Sequence, residues 1–513
     1  MAYIGIDLGT TNSCMAIAKD GTYEVLTNRA NERLTQSFVF VQVVGVSVGS
    51  IAFKQASRIP RNGVYEVKRL MGYEFDDREV QTDKLWLEYF TTRGENNEIG
   101  IKFENCDKLK SPIEISAFIL HKLKRDAEEK LKMTFNQVVV TVPAYFNSVQ
   151  KAATKLAALV AGFEEVKLLN EPTAAALSYL PRLSKISGKR TIMVFDLGGG
   201  TFDVSIVEIL NKTLTVKSVY GDSHLGGELF LRNMINLVKT RLKSLYPKIR
   251  NLSERSKRRI RTECEEAKKQ LTFYETYNII MNYFETEEEI EIPVSRQELD
   301  DLNQKLYDQI IKIMKSCIEN SGIPQDNIEK VLLVGGASFT PKIRDMLKEY
   351  FGNNDILETN INSDEAIAIG AAIQAYSLFS DDKEDIYVVR DVAPMSIGLI
   401  INDGEFIKYI DKNTPLPVEV SVEHDIVHLT DKFFQVSFFE NNTSVLLGAK
   451  QVKLIDEPDL VTIKIRVEEG EDYKISITGS CIKETNFVLQ VRGTLDKSDI
   501  EKLREQVKRE LIN

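Results

Sequence analysis

Apolar positions along this chain follow two alternating rhythms up to about Ser377. Short continuous apolar runs, the signature of buried strands, alternate with longer stretches at helical spacing. Residues 137–142 form one such run, stopped by Pro143, and 165–169 form another. Between them 148–161 reads as a helix, with Gly162 placed to end it. Ser111-Pro112-Ile113-Glu114 is a capping box with proline at the first helical position. The helix it opens, to about Met133, carries Ile115, Phe118, Ile119, Leu123 and Leu131 on one face. Ser295-Arg296-Gln297-Glu298 is a second box and opens a helix to about Asn320. This alternation predicts an α/β fold with sheets covered on both faces.

The rhythm then changes. Residues 380–384 are short and charged, and Ile386-Tyr387-Val388-Val389 is an isolated apolar patch before Arg390-Asp391. From 391 to about 493 the segments are short and alternating, with turn residues and no convincing helix. Asp403-Gly404 between two apolar runs predicts a hairpin. Residues 496–511 form one more helix, with Ile500, Leu503, Val507 and Leu511 apolar. The expected division is 1–379, a linker at 380–391, a β unit at 392–494 and a helix at 495–513.

Two stretches look like copies of each other: Ile4-Gly5-Ile6-Asp7-Leu8-Gly9-Thr10-Thr11-Asn12-Ser13 and Val194-Phe195-Asp196-Leu197-Gly198-Gly199-Gly200-Thr201-Phe202-Asp203. Each is an apolar strand ending in aspartate, a glycine turn with hydroxyls, and a second strand. Glycine lets the backbone bring its N–H groups against an anion. Asp7 and Asp196 suit a hydrated magnesium ion, which takes oxygen ligands and keeps its waters. Two facing hairpins of this kind would grip a nucleoside triphosphate from both sides. A third turn, Gly335-Gly336-Ala337-Ser338, follows an apolar strand, and a fourth, His224-Leu225-Gly226-Gly227-Glu228, opens a helix. Helix N-termini and glycine turns attract phosphates. One such turn is weak testimony; four, with an aspartate-bearing duplicate, are strong. The dinucleotide fingerprint GxGxxG is absent from the first strand–helix region.

Composition narrows the partners. The net charge of −10 over 513 residues argues against nucleic acid or an anionic membrane. The five cysteines are scattered without a CxxC pair, so neither a zinc site nor a disulfide framework is expected. No apolar run approaches the ~20 residues of a membrane span. The first strand starts at Ala2, which leaves no room for a signal peptide, so the cytoplasm is the expected location.

The strings GIDLGTTNSC, VKRLMG, TVPAYFN, LLNEPTAAAL, FDLGGGTFDVS, HLGGE, ECEEAKKQL, LLVGGAS and NSDEAIAIGAA occur here in order. Together they resemble the heat shock protein 70 (DnaK-type) chaperone family, over the whole chain. The resemblance implies an actin-like (ribonuclease H-like) two-lobed ATPase domain. A β-sandwich peptide-binding domain follows, with a C-terminal helix that begins a truncated lid. It implies an ATP-dependent chaperone for extended apolar polypeptide, with slow, co-chaperone-stimulated hydrolysis. The cofactors implied are ATP or ADP with Mg2+, potassium being a further ion the family allows. A J-domain co-chaperone, meeting Lys167, Asn170, Thr173 and Asp391, and a nucleotide-exchange factor are the implied partners.

Residue roles carry over one by one. Asp7 and Asp196 hold magnesium through water. Gly9, Thr10, Thr11, Asn12, Gly198, Gly199, Gly200 and Thr201 meet the phosphates, with Gly226, Gly227 and Glu228 beside them. Lys68 reaches the γ-phosphate and the attacking water, which Glu171 and Asp203 orient. The adenosine side comprises Glu265, Lys268, Lys269, Thr272, Gly335, Gly336, Ser338, Phe339 and Asp364. The chain also departs from the family. Phe339 stands where an arginine usually faces adenine, so it either stacks on the base or turns into the core. Leu229 and Leu231 replace two acids, and Lys151 replaces a relay arginine near the switch Pro143. In the β unit, 392–399 and 433–439 would line the peptide site. Phe434 stands at the pocket's central position and Asn402 at its arch, which makes the pocket shallow or filled. A lidless ATP-binding scaffold with weak peptide binding is therefore the alternative reading. A sugar kinase on the same fold would leave the linker and β unit unexplained.

Overall fold

The computed structural model describes residues 2–512, apart from 105, 184–187, 250, 283, 286–288, 359–361, 382–385, 403, 428–431, 469–472 and 494, and apart from the side chains of 96, 107 and 183. Asp403 of the predicted turn and Glu384 and Asp385 of the predicted linker thus lie outside the described residues.

Two sheets of the same design lie side by side. The first runs Glu165–Asn170, Gln137–Val142, Ala2–Asp7, Asn12–Lys19, Thr22–Leu26. The second runs Leu357–Glu358, Lys330–Val334, Arg190–Leu197, Phe202–Leu210, Thr213–Asp222. In each, an antiparallel meander of three strands is extended by parallel strands reached through helices. The duplicated hairpins of the sequence are the first two strands of each meander. Asp7 pairs with Cys14 in one, and Asp196 with Asp203 in the other. The predicted helices form as Pro112–Leu131, Ser148–Val160 and Arg296–Ser321, and the boxes at Ser111 and Ser295 both close. Lys132 and Gly322 take the left-handed conformation that ends their helices.

The helices Glu171–Leu183 and Ala366–Phe379 cross between the two sheets. Their contact is lined by alanines, among them Ala174, Ala175, Ala371 and Ala375, all buried. At Gly370 a Cβ would fall 1.7 Å from the carbonyl oxygen of Ala174. At Gly5 it would fall 2.1 Å from the amide of Ala372. Only small residues let backbones approach this closely, which is the physical content of the strings EPTAAAL and AIAIGAA.

The β unit is a sandwich of two four-stranded antiparallel sheets. One holds Ile407–Ile410, Ile397–Ile401, Phe433–Glu440 and Val445–Lys453; the other Val418–Asp425, Leu460–Val467, Tyr473–Gly479 and Thr485–Val488. Period-two alternation buries Val461, Ile463, Ile465 and Val467 against Phe434, Val436 and Phe438. The predicted hairpin joins Ile397–Ile401 to Ile407–Ile410.

The sandwich sits against the two-lobed part through polar contacts. Glu440, buried, accepts from the Ser148 amide at 2.8 Å and its hydroxyl at 2.7 Å, and Tyr473 donates to the same carboxylate at 2.8 Å. Asp391 accepts from Asn170 and Thr173. The apolar patch at 386–389 ends in the strand Val388–Arg390, which adds to the second sheet's edge beside Thr213–Asp222. The last helix, Lys497–Glu510, leans on Pro112–Leu131 and Ser148–Val160. There Arg504 bonds the carbonyls of Leu159 and Phe163.

The crossing yields a direct test. Gly370→Ala is expected to cost about 1–3 kcal/mol by overpacking, seen as an earlier thermal unfolding transition. An unchanged transition would show that the two helices can separate freely.

Candidate functional site

Both sheets present the carboxyl ends of their parallel strands, and the loops there face each other across a cavity of 1320 Å³. The two hairpin turns meet at its floor. A Cβ on Gly199 would lie 2.2 Å from Thr11 Oγ1, and one on Gly200 2.6 Å from Thr10 Oγ1. The first turn is braced by Ser37, whose hydroxyl donates to the Gly9 carbonyl and whose amide donates to that of Thr11. The second turn is tied to the helix Gly227–Leu245. Gly227 and Glu228 donate their amides to the Gly198 and Gly199 carbonyls at 2.9 and 2.8 Å.

Four carboxylates crowd the floor: Asp7, Glu171, Asp196 and Asp203, all buried or nearly so. Lys68 rises from the 3-10 turn Val67–Leu70 and meets Glu171 Oε1 at 2.5 Å. Asp7 accepts from Thr141, and Asp203 from the Tyr145 amide at 3.0 Å. Asp196 Oδ2 and Asp203 Oδ2 are buried with no hydrogen-bond partner among the described residues. Burial and then the charge of Glu171 raise Asp7 to about 7 and Asp203 to about 8, and lift Asp196 well above the carboxylate range. Such crowding is unfavourable unless positive charge arrives.

Of the residues expected on the phosphate side, Gly9, Thr10, Thr11, Asn12, Gly198, Gly199, Thr201, Gly227 and Glu228 line the cavity, as do Asp7, Lys68, Glu171 and Asp196. On the other arm Glu265, Lys268, Lys269, Thr272, Gly335, Gly336, Phe339 and Asp364 line it too. Four expected residues stand behind the wall. Asp203 is buried beneath the floor, Gly200 packs on Thr10, and Gly226 packs on the Gly199 backbone. Ser338, 1% exposed, turns its hydroxyl to the Gly335 carbonyl and so holds the turn instead of facing the cavity. Gly335 needs its glycine, with φ 78° and the Leu197 carbonyl 2.5 Å from a Cβ position. Phe339 does not enter the core: it is 37% exposed on the cavity wall.

With this geometry in hand, the comparisons decide the family. The Hsp70 protein family model matches residues 3–506. A ribosome-associated molecular chaperone of Eremothecium gossypii is 35% identical over 520 residues, covering 98% of this chain and 84% of its own. A ribosome-associated molecular chaperone of Saccharomyces cerevisiae is 34% identical over 520 residues, again 98% of this chain and 84% of its own. A heat shock 70 kDa protein of Neurospora crassa is 37% identical over 423 residues, 82% of this chain and 65% of its own. The chain belongs to the Hsp70 family. It is an ATP-dependent molecular chaperone for unfolded polypeptide and an ATP hydrolase. Its fold is an actin-like two-lobed ATPase followed by a β-sandwich and a C-terminal helix.

Nucleotide and magnesium are the cofactors this Hsp70 membership brings. The floor fits the metal, because two orphaned carboxylate oxygens and an excess of buried negative charge favour a cation there. Among the described residues no three His, Cys, Asp or Glu side chains are arranged to hold a metal directly.

Sequence reasoning missed a buried ion cluster that ties the outer rims of this Hsp70 cleft together. Arg261 pairs with both Glu66 and Glu228, Arg232 with Asp83, and Arg258 with Glu88 and the Phe53 carbonyl. Arg69 lies between Glu66 and Asp83. These residues come from distant segments, and no local spacing announces them. Leu229 and Leu231, by contrast, are apolar where the family has acids, and both join hydrophobic clusters.

Two outcomes follow for the site. Arg261→Met should release bound ADP faster by about tenfold or more, because truncating a buried charged partner acts on dissociation. Stopped-flow release from a fluorescent ADP would measure it, and an unchanged rate would place the latch elsewhere. Second, the raised carboxyls hold protons near pH 7, and a divalent ion favours their ionised forms. Binding of Mg-ATP at pH 7 should therefore release about one proton. The part due to Asp7 and Asp203 should fade as pH rises past 8, because those two carboxyls ionise before the ligand arrives. Calorimetry in buffers of different ionisation enthalpy reads the proton count; uptake or no change would contradict the assignment.

Proposed function

We propose that ATP is hydrolysed on the floor of this cleft, with Lys68, Glu171, Asp196, Asp203 and Thr201 as its chemical residues. The single observation that carries the reading is the Lys68–Glu171 pair, buried among three further carboxylates on the floor where two glycine turns meet. The backbone amides of the two turns bind the phosphates. Asp7 and Asp196 would hold magnesium through its waters, and the ion would supply positive charge against the phosphate oxygens. Lys68 adds a fixed ammonium where charge grows on the transferring group, and no reorganisation is needed to place it. Glu171 holds Lys68 and accepts a hydrogen bond from the attacking water, and Asp203 supports that orientation from beneath the floor, where its Oδ2 is unpaired among the described residues. Glu265, Lys268, Lys269, Thr272, Gly335, Gly336 and Asp364 hold the nucleoside. Potassium beside the same carboxylates is compatible with their excess charge.

The division at 379, 391 and 494 and the cytoplasm as location belong to the same proposal. Among the described residues no helix is long and apolar enough to cross a membrane. The Asp391 contact with Asn170 and Thr173 supports a J-domain partner reading the linker in this position. A nucleotide-exchange factor would act by parting the rims that Arg261 and Arg232 join. Two of the relatives carry ribosome association in their names, which makes emerging polypeptide a client class to examine.

One observation favours the second reading, a scaffold with weak peptide binding. Phe434 is 1% exposed and belongs to the sandwich core. Asn402 accepts from the Gln435 amide through its side chain while its own amide donates to the Gln435 carbonyl. Both positions expected to frame a peptide are thus used internally.

Lys68→Ala separates the readings. Single-turnover hydrolysis should fall by about 10²–10³ while ATP still binds. An unaltered rate would exclude the proposed floor chemistry. Stimulation of the parent rate by an apolar heptapeptide favours the chaperone cycle, and its absence favours the scaffold.

A further inference from the structure

The sandwich contains a buried polar pair that the proposed chemistry does not use. Tyr409 stands on the edge strand Ile407–Ile410 of one sheet, and His424 on Val418–Asp425 of the other. The Tyr409 hydroxyl and His424 Nε2 are 2.5 Å apart, the rings are stacked at 5.9 Å, and both residues are 8% exposed. Burial raises the Tyr409 phenol, so it keeps its hydrogen and donates it. His424, pushed down by burial, accepts as a neutral ring.

The charged groups nearby are turned away or already matched. Ile397–Ile401, paired with the Tyr409 strand, carries none. Glu423 and Asp425 flank His424 on the opposite, exposed face of their strand. On the strand beside it Lys464 and Arg466 pair with Glu419, and Lys408 pairs with Asp411. Among the described residues no carboxylate acts on His424; burial alone does. An imidazolium formed here would lie in apolar surroundings without a counter-charge. Its new Nε2 hydrogen would also meet the phenol hydrogen already directed at that nitrogen.

The turn just after Tyr409 is where the sandwich meets the lobes. Lys412 Nζ lies 3.3 Å from the centre of the Tyr220 ring and 4.6 Å from that of Tyr145. Asn413 accepts from the Val219 amide at 3.0 Å. The same turn is laced to the connection: Ala393 donates its amide to the Thr414 carbonyl, and Leu416 donates to that of Asp391, both at 2.9 Å. Slackening of the edge strand would therefore reach both the docking contacts and the strand Val388–Arg390 ahead of them.

We propose that the Tyr409–His424 pair is an acid-sensitive fastener: when His424 takes up a proton, the edge strand Ile407–Ile410 loosens and the turn at 411–414 leaves the lobes. A released His424 takes its proton near the ordinary imidazole value of 6.5, whereas the buried ring resists it. The fastening is thus complete above that pH and weakens as pH falls below it. It does not depend on the nucleotide site proposed above.

Amide hydrogen exchange of the full chain at pH 7.5 and 5.5, with His424→Gln beside the parent, tests the fastener. Glutamine still offers Tyr409 an acceptor and does not titrate. At pH 7.5 the two proteins should exchange alike. At pH 5.5 the amides of 407–416 and of Val388–Arg390 should exchange several-fold faster in the parent than in the variant. The chain has four histidines, so the His424 ring signal can be followed by NMR; it should titrate below 6.5, together with the change in exchange. Equal exchange of parent and variant at pH 5.5 overturns the fastener. Any acid response they share would belong to His121 or His224, which burial also holds neutral. Faster exchange confined to 407–416 refutes release from the lobes. A His424 signal titrating at or above 6.5 overturns the proposal on the parent alone, even if His424→Gln does not fold.

Discussion

The distance between two backbones governs this molecule. Where Ala366–Phe379 crosses Glu171–Leu183, Gly370 lies so close to Ala174 that no side chain fits between them. The first sheet presses on the same helix through Gly5 and Ala372. The tight crossing gives the molecule a shape in which both sheets pack on one pair of helices. That shape brings the glycine turns face to face, with Thr10 and Thr11 against Gly200 and Gly199. It also delivers Glu171, at the start of one crossing helix, to the floor where Lys68 meets it. A larger residue at the crossing would act on the site from a distance, by changing the spacing of everything above it.

The floor and the rims use charge in opposite ways. On the floor, carboxylates outnumber cations and two oxygens stay unpaired, so the protein's own groups leave the cleft electrostatically unbalanced. On the rims, arginines and carboxylates are closely matched and buried, so the closed cleft is balanced there without a ligand. Breaking a buried pair is costly because it strands a charge in a poor solvent. The rims thus resist opening while the floor favours cations, a combination suited to holding a nucleotide until something parts the lobes.

The sandwich is joined to the lobes by polar contacts at its rim. Glu440 with Ser148 and Tyr473, and Asp391 with Asn170 and Thr173, are short and directional. Hydrogen bonds of this kind cost little to exchange for water if the surfaces part, whereas an apolar interface would have to expose its area. The edge strand Val388–Arg390 makes the second sheet itself continuous with the connection. The sandwich interior is different: Phe434, Val436 and Phe438 fill it, and a phenylalanine at the central position occupies volume that a smaller residue would leave open.

Much of this was legible along the chain. Period-two and helical spacing placed the strands and helices, both capping boxes closed as read, and the duplicated hairpins became the two meanders. Local geometry suffices for these, because turns, caps and alternation depend on near neighbours. The candidate floor residues were legible for the same reason, each sitting on its own turn. The rim cluster was not, since Glu66, Asp83, Arg232 and Arg261 come from separate segments. Nor was the inward turn of Ser338, or the pairing of Tyr409 with His424, which two different sheets bring together. The sequence by itself determined the elements, the duplicated turns and the family. Only the tertiary structure decided which carboxylates lack partners, which arginines are already engaged and where Phe434 points. Those properties depend on burial and on distances between remote segments, and no spacing along the chain encodes either.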